Sequence, residues 1–290
     1  VVAPTPVVTA DWFAARISAL REASGRTPGE LAAALGRSAS GVRHFESSTR
    51  LVGKRYLKLA LEELGHGHLV GPYSSVIERS RAKPLWWQQV LPQVKRSEKP
   101  SELHQLELLV NFESSATRIG VYAPDTVPDL VQTPAYAEAL HRIAEPLLPE
   151  LHRALLPGRR ALLDHDDPPQ LHVLVDEVVL RREIGGPAVL REQLGHLVAL
   201  TDRPAVAVQV VPSTAATGVE GNFSLLDLAD ELDGDPGAVF VRTGADWVHF
   251  RQPAKVARYR ARWSALLQHA LPPEQSRATL EQLARELHPR

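Results

Sequence analysis

"GELAAALGRSASGVRHFE", residues 29–46, reads as two short helices around a glycine. Thr27 stands where a cap for the first helix is needed, Pro28 at its first position and Glu30 three residues past the cap, the pattern of a reciprocal capping box. Leu31, Ala32 and Leu35 supply an inner face, Gly36 permits a sharp turn, and Ser38 or Ser40 caps the second helix, from which Val42 and Phe45 face inward. Upstream, the two prolines of residues 1–8 predict a flexible tail. A helix from Thr9 or Asp11 follows, with Phe13, Ile17 and Leu20 at helical spacing and Gly25 at its end. Downstream, Leu57, Leu61 and Leu64 line a further helix that stops at Gly65. Short helices crowded into residues 9–72, with a glycine turn between the second and third, describe a helix-turn-helix domain.

Beyond "GHGHLVGP" the texture changes twice. Residues 73–123 predict a helical connector, with the polar stretch "KRSEKPS" inside it and "ELHQLELLVNFESSATRIGVY" as one long helix. Pro124 and Pro128 open a new unit, helical to about residue 163. From Leu171, "LHVLVDE", "AVAVQVV", "FSLLDL", "AVFVRT" and "WVHF" are short apolar, β-branched runs between turn residues. The first two flank "GGPAVLREQLGHLVALTD", long enough for a crossover helix. Two helices, each opened by proline, close the chain. The predicted fold class is α+β: an all-α N-terminal domain, a helical connector, and a C-terminal sensing and dimerisation domain over residues 124–290 with a small mixed sheet.

Composition bounds the chemistry. The 290 residues are 44% hydrophobic and 23% charged, ordinary for a globular protein. The absence of cysteine excludes disulfides, thiolate nucleophiles and cysteine-bound zinc. No apolar run approaches the roughly 18 residues of a membrane span, and the first residues lack the pattern of a secretory signal, so a cytoplasmic protein is expected. The net charge of −1 hides an asymmetry: residues 1–98 carry 14 Lys and Arg against 8 Asp and Glu, and the remainder 19 against 26. A basic front on an acidic back fits a nucleic-acid-binding head on a different body.

Catalytic and metal motifs are thin. His66 and His68 in "GHGH" lack visible partner ligands, "DHDD" at 164–167 reads as a loop, and "DGDPG" at 233–237 reads as a hairpin turn without the rest of a calcium loop. No phosphate-binding glycine loop is present. No cofactor and no metal is expected. A small-ligand pocket is the more open question: Gln132, Tyr136, Glu177, Arg182 and Gln193 are polar groups near strand ends and the loops after them, where α/β sites tend to lie. Trp86, Trp87, Trp247 and Trp263 suit either the wall of such a pocket or core packing.

Residues 16–50 resemble the lambda-repressor-type helix-turn-helix of the Xre group. "WW" at 86–87, "VPDLVQTPAYAEAL" at 127–140, "VDEVVLRREIGGPAVLREQL" at 175–194, "VQVVP" at 208–212, "EGNFSLL" at 220–226 and "ARYRARWSALLQHALPPEQS" at 257–276 resemble the body of an actinobacterial regulator group, Scr1/WhiJ-like and antitoxin-like, whose C-terminal part is a DUF5753-like domain of unknown function. The first resemblance implies that the start of the third helix enters the major groove, with Arg37, Ser38, Ser40, Arg43 and His44 placed for bases or phosphates and Arg50, Lys54 and Arg55 for phosphates. It also implies a structural ion pair between Arg21 and Glu46. Pro28 in place of a phosphate-holding glutamine, Gly41 inside the recognition helix and Ser48 in place of a glycine depart from the pattern. The expectation is a DNA-binding transcriptional regulator, a homodimer on double-stranded DNA, with the C-terminal domain binding a small ligand or a small protein partner. The alternative is a regulator-derived protein whose head no longer reads DNA and which acts as an enzyme or ligand-binding protein in secondary metabolism.

Overall fold

The computed structural model describes residues 2–46, 51–91, 100–144, 149–215, 218, 221–243 and 246–287. They form a helical N-terminal region followed by an α+β region built on a six-stranded mixed sheet. Contacts divide the chain into two compact units. The first comprises residues 1–85 with two short returning segments, 114–116 and 228–235; the second comprises 86–113, 117–227 and 236–290. The stretch expected to be one connector, 73–123, is therefore divided between the units.

The first unit holds α1 (Pro6–Ala23), α2 (Pro28–Ala34), α3 (Ala39–Glu46), α4 (Lys54–Glu63) and α5 (Val70–Ala82). Val8, Trp12, Phe13, Ile17, Leu31, Val42, Leu57, Leu61 and Ile77 are buried in it. The expected loose tail over residues 1–8 is corrected: Thr5 is buried and accepts a hydrogen bond from Val8 N at 3.3 Å, so α1 starts at Pro6. Proline favours that first position because its missing N–H is one that no helix start can pair internally. Segment 228–235 contributes Asp233, which takes hydrogen bonds from Arg16 Nη2 and Tyr73 Oη at 2.5 Å each, while its carbonyl accepts from Trp12 Nε1 at 3.1 Å. The turn residue of "DGDPG" is thus a fastening point for α1 and α5.

The second unit holds α6 (Pro100–Glu113), β1 (Ala116–Ala123), α7 (Pro134–Ala144), α8 (Pro149–Arg160), β2 (Gln170–Asp176), α9 (Pro187–Leu200), β3 (Val206–Val211), β4 (Phe223–Leu228), β5 (Ala238–Thr243), β6 (Asp246–Phe250), α10 (Pro253–His269) and α11 (Pro273–Glu286). The strand order is β3-β2-β1-β4-β5-β6; β1 pairs with β2 and β2 with β3 in parallel, and β4-β5-β6 is antiparallel. Five strands fall on the five apolar runs. The sixth, β1, replaces the second half of the long helix expected over 102–122: α6 ends at Glu113 and the chain turns extended at Ala116. Tyr122, Leu174, Val211, Phe223, Leu225, Val239, Val256 and Leu266 form a core cluster between one face of this sheet and α10. The outer edge of β3 is capped at Val210 by the α10–α11 linker and the first turn of α11: Leu271 N donates to Val210 O at 2.8 Å and Val210 N donates to Ser276 Oγ at 3.0 Å. Pairing Val210 shortens the open ladder on which another strand could add.

Candidate nucleic-acid interface

The turn between α2 and α3 is tight because Gly36 takes φ +60°, where a side chain is strained, and Arg37 N closes it on Ala32 O at 2.8 Å. Thr27 and Glu30 form the reciprocal cap of α2: Thr27 Oγ1 accepts from Glu30 N at 3.2 Å, and Glu30 Oε2 accepts from Thr27 N at 2.7 Å. Ser38 caps α3, its Oγ accepting from Gly41 N at 3.1 Å. A Cβ on Gly41 would stand 3.2 Å from that same hydroxyl, so the glycine makes room for the cap. Below, Val42 is fully buried, and Arg21 Nε and Nη2 grip the two oxygens of Glu46 at 2.7 and 3.1 Å. Arg21 Nη1 also donates to Arg26 O at 2.9 Å. The two side chains are only 8% and 9% exposed, so the pair locks the end of α3 to the end of α1. The hydrogen bonds it donates to Glu46 raise the Arg21 guanidinium above its ordinary pKa.

What α3 turns outward is Ser40, Arg43 and His44, all exposed, with Ser38 at its start. Arg37 lies over the rings of Phe45 and Tyr56, 5.4 and 5.8 Å from their centroids, and those rings stack at 4.1 Å. Burial pushes the Tyr56 phenol up to about 12. Lys54, at the head of α4, pairs with Glu78, and its neighbour Arg55 is exposed. Arg50 and Ser48 lie outside the described residues.

The polar set expected around a small ligand divides into two groups. Gln132, Tyr136 and Gln193 come together, buried, around loop 127–133. Gln132 Nε2 donates to Val127 O at 2.6 Å, Tyr136 Oη accepts from Val127 N at 3.3 Å, and Gln193 Oε1 accepts from Thr133 N at 2.7 Å while its Nε2 donates to Val131 O at 2.8 Å. Their polar atoms satisfy loop backbone and bind it to α9. Glu177 instead joins Arg181 at 2.9 Å with the N–H and hydroxyl of Ser213 at 3.2 and 3.1 Å, which together hold its carboxylate below its ordinary pKa. Arg182 is exposed and reaches Asp125 O at 2.5 Å.

Beside loop 127–133 lies a charged cluster that no local pattern announces. Arg159 on α8 donates to both oxygens of Glu113 at 2.8 Å and to Asp129 Oδ2 at 2.9 Å. Burial pushes the Asp129 carboxyl up, but the charges facing it, Arg159 foremost and Arg242 among them, hold it down at about 2, and burial lowers His152 to about 4. The three partners sit on three elements, so the only sequence trace is that Glu113 ends an otherwise apolar run. Among the described residues no group of three or more His, Asp and Glu is placed to hold a metal, and no helix is long and apolar enough to cross a membrane.

Residues 106–282 match a family profile, described as a domain of unknown function, DUF5753, that covers more than half of the chain. The chain belongs to the DUF5753 family. The DUF5753 match runs from within α6 to within α11 and takes in all six strands; α1 to α5 precede it. Loop 127–133, the Arg159 cluster and the α10 face are thus features of the DUF5753 part. No curated protein and no solved structure matches the chain.

Proposed function

We propose that this protein is a DNA-binding transcriptional regulator of the cytoplasm, whose α2–turn–α3 segment is a helix-turn-helix head and whose DUF5753 body binds a small ligand or protein partner and pairs two copies. The observation that carries the reading is the outward face of α3. Ser40, Arg43 and His44 are exposed on a helix clamped from beneath by the buried Arg21–Glu46 pair. A recognition helix needs that combination: a rigid seat, so that little ordering is lost on docking, and an exposed rim of polar and basic side chains. Arg43 is suited to paired bonds with guanine, Ser40 to either base edges or phosphate, and Arg37 and Arg55 to phosphate. One such head buries little duplex, so two copies on half-sites about 34 Å apart are expected.

The test is selection from a random duplex pool followed by fluorescence anisotropy on the enriched sequence at several salt concentrations. Arg43→Ala is expected to weaken binding by about 1–3 kcal/mol and to relax the preference at one base position. An Arg55→Ala change is expected to weaken all sequences alike and to lessen the salt slope by about one unit. Failure of the wild-type protein to enrich any sequence, or an Arg43→Ala protein that folds and binds as before, overturns the reading.

A further inference from the structure

The parallel register of the first three strands places Gly120, His172 and Ala207 side by side in one row on the sheet face that α10 covers. Arg118 and Gln170 form the row before it, and Tyr122 and Leu174 the row after. Tyr122 and Leu174 are packed in the core under α10. The row of Gly120, His172 and Ala207 is left as the floor of a groove of about 480 Å³, walled on one side by Trp263 of α10. That volume suits a small organic molecule. The floor is flat because two of its three residues have little or no side chain. A Cβ at Gly120 would press on the Trp263 ring at 3.2 Å, so glycine is what lets the indole lie against the sheet.

The charges and hydrogen bonds of the groove are equally specific. Its titratable lining residues are Arg118, His172, Asp227 and Arg260. Arg118 Nε donates to Asp227 Oδ2 at 3.0 Å, and Arg260 donates to Oδ1 of the same carboxylate. Two guanidiniums on one carboxylate leave a surplus positive charge at the rim. His172 is half-buried and stands edge-on to Trp263, with ring centroids 5.2 Å apart. Its Nε2 lies 2.6 Å from Gln209 Oε1, and Gln209 Nε2 donates to Leu271 O at 2.7 Å. The Leu271 carbonyl fixes the amide, so Oε1 must accept and His172 Nε2 must carry the hydrogen. Burial lowers the imidazole's pKa and so favours the neutral ring, whose Nδ1 is then the acceptor, on a side chain that lines the groove.

We propose that this groove binds a planar aromatic carboxylate: the ring lies on Ala207 beside the Trp263 indole that covers Gly120, the carboxylate meets Arg118 and Arg260, and a ring N–H or O–H meets His172. No residue of α3 takes part, so the site and the DNA reading stand or fall separately. Calorimetry of the full chain with indole-3-carboxylate, and with indole-3-carboxamide as its uncharged counterpart, tests it. The carboxylate is expected to bind at least about tenfold more tightly than the amide, since a charge-assisted hydrogen bond is roughly twice as strong as a neutral one. Ala207→Phe fills the floor and is expected to abolish the binding. Arg260→Gln, at an exposed position that leaves the core untouched, is expected to erase most of the preference for the anion and gives the answer if Ala207→Phe does not fold. No heat with the carboxylate at millimolar concentration, equal affinity for acid and amide, or unaltered binding by a folded Ala207→Phe protein would overturn the proposal.

Discussion

Arg159→Met removes the charge at the centre of the Glu113–Arg159–Asp129 cluster while keeping most of the side chain's volume. Arg159 and Glu113 are each only 4% exposed and face one another through two hydrogen bonds of 2.8 Å; Asp129, at 20%, is better hydrated. Loss of the guanidinium leaves Glu113 as a buried carboxylate with neither counter-ion nor solvent, and removal of one partner from a buried pair costs about 3–5 kcal/mol. Most of that falls on Glu113, because water screens part of the charge on Asp129. For a unit of this size the melting temperature should fall by roughly 6–20 °C, read by far-ultraviolet circular dichroism. The triple variant Arg159→Met, Glu113→Gln, Asp129→Asn tests the mechanism, since it leaves no charge uncompensated. It should recover more than half of the loss, because a buried ion pair owes its sensitivity to the orphaned partner more than to its own net strength. An Arg159→Met protein within about 1 kcal/mol of wild type, or a triple variant no more stable than the single one, would refute the reasoning.

Acid should act on the same neighbourhood. His152 titrates at about 4 in the fold against 6.5 ordinarily, with burial as the main cause. Above pH 6.5 it is neutral folded or unfolded and its contribution is complete; between 6.5 and about 4 only the unfolded chain takes the proton, so stability falls as the pH drops. The full shift corresponds to about 3 kcal/mol, and partial exposure of the residue makes that a ceiling. Denaturant titrations at pH 7 and 4.5 should show the loss in wild type and a smaller one in His152→Leu; identical slopes in the two proteins would count against it. Gly158→Ala should destabilise although alanine favours helix by about 1 kcal/mol. Its Cβ would lie 2.3 Å from the Trp86 ring, so the indole must shift, at about 1–3 kcal/mol. A raised melting temperature would show instead that Trp86 moves aside freely.

Local structure was legible where the decisive contacts are near in sequence. α2, α10 and α11 open on the prolines that their patterns announced, Thr27 and Glu30 cap α2 as their spacing requires, and each of the five apolar, β-branched runs is a strand. β1 was not legible. "ATRIGVYA" follows α6 with no glycine or proline between them, and its Gly120 has a reason that exists only once Trp263 lies across it. The site residues divide in the same way. The exposed face of α3 follows from helical spacing around Val42, whereas Gln132, Tyr136 and Gln193 carry groups equally fit to hold a ligand or a loop, and their contacts with Val127, Val131 and Thr133 depend on where α9 comes to rest.

The sequence by itself determined the caps, the strand runs, the turn at Gly36 and the uneven charge, because these depend on residues a few positions apart and on side-chain chemistry alone. Only the tertiary structure decided that Asp233 would fasten α1 and α5, that Arg159 would sit between two carboxylates 46 and 30 residues away, and that Gly120, His172 and Ala207 would form one floor under Trp263. The physical reason is that a charge or hydrogen-bonding group satisfies whichever partner the packed core brings within about 3 Å, and no short-range pattern records which partner that will be.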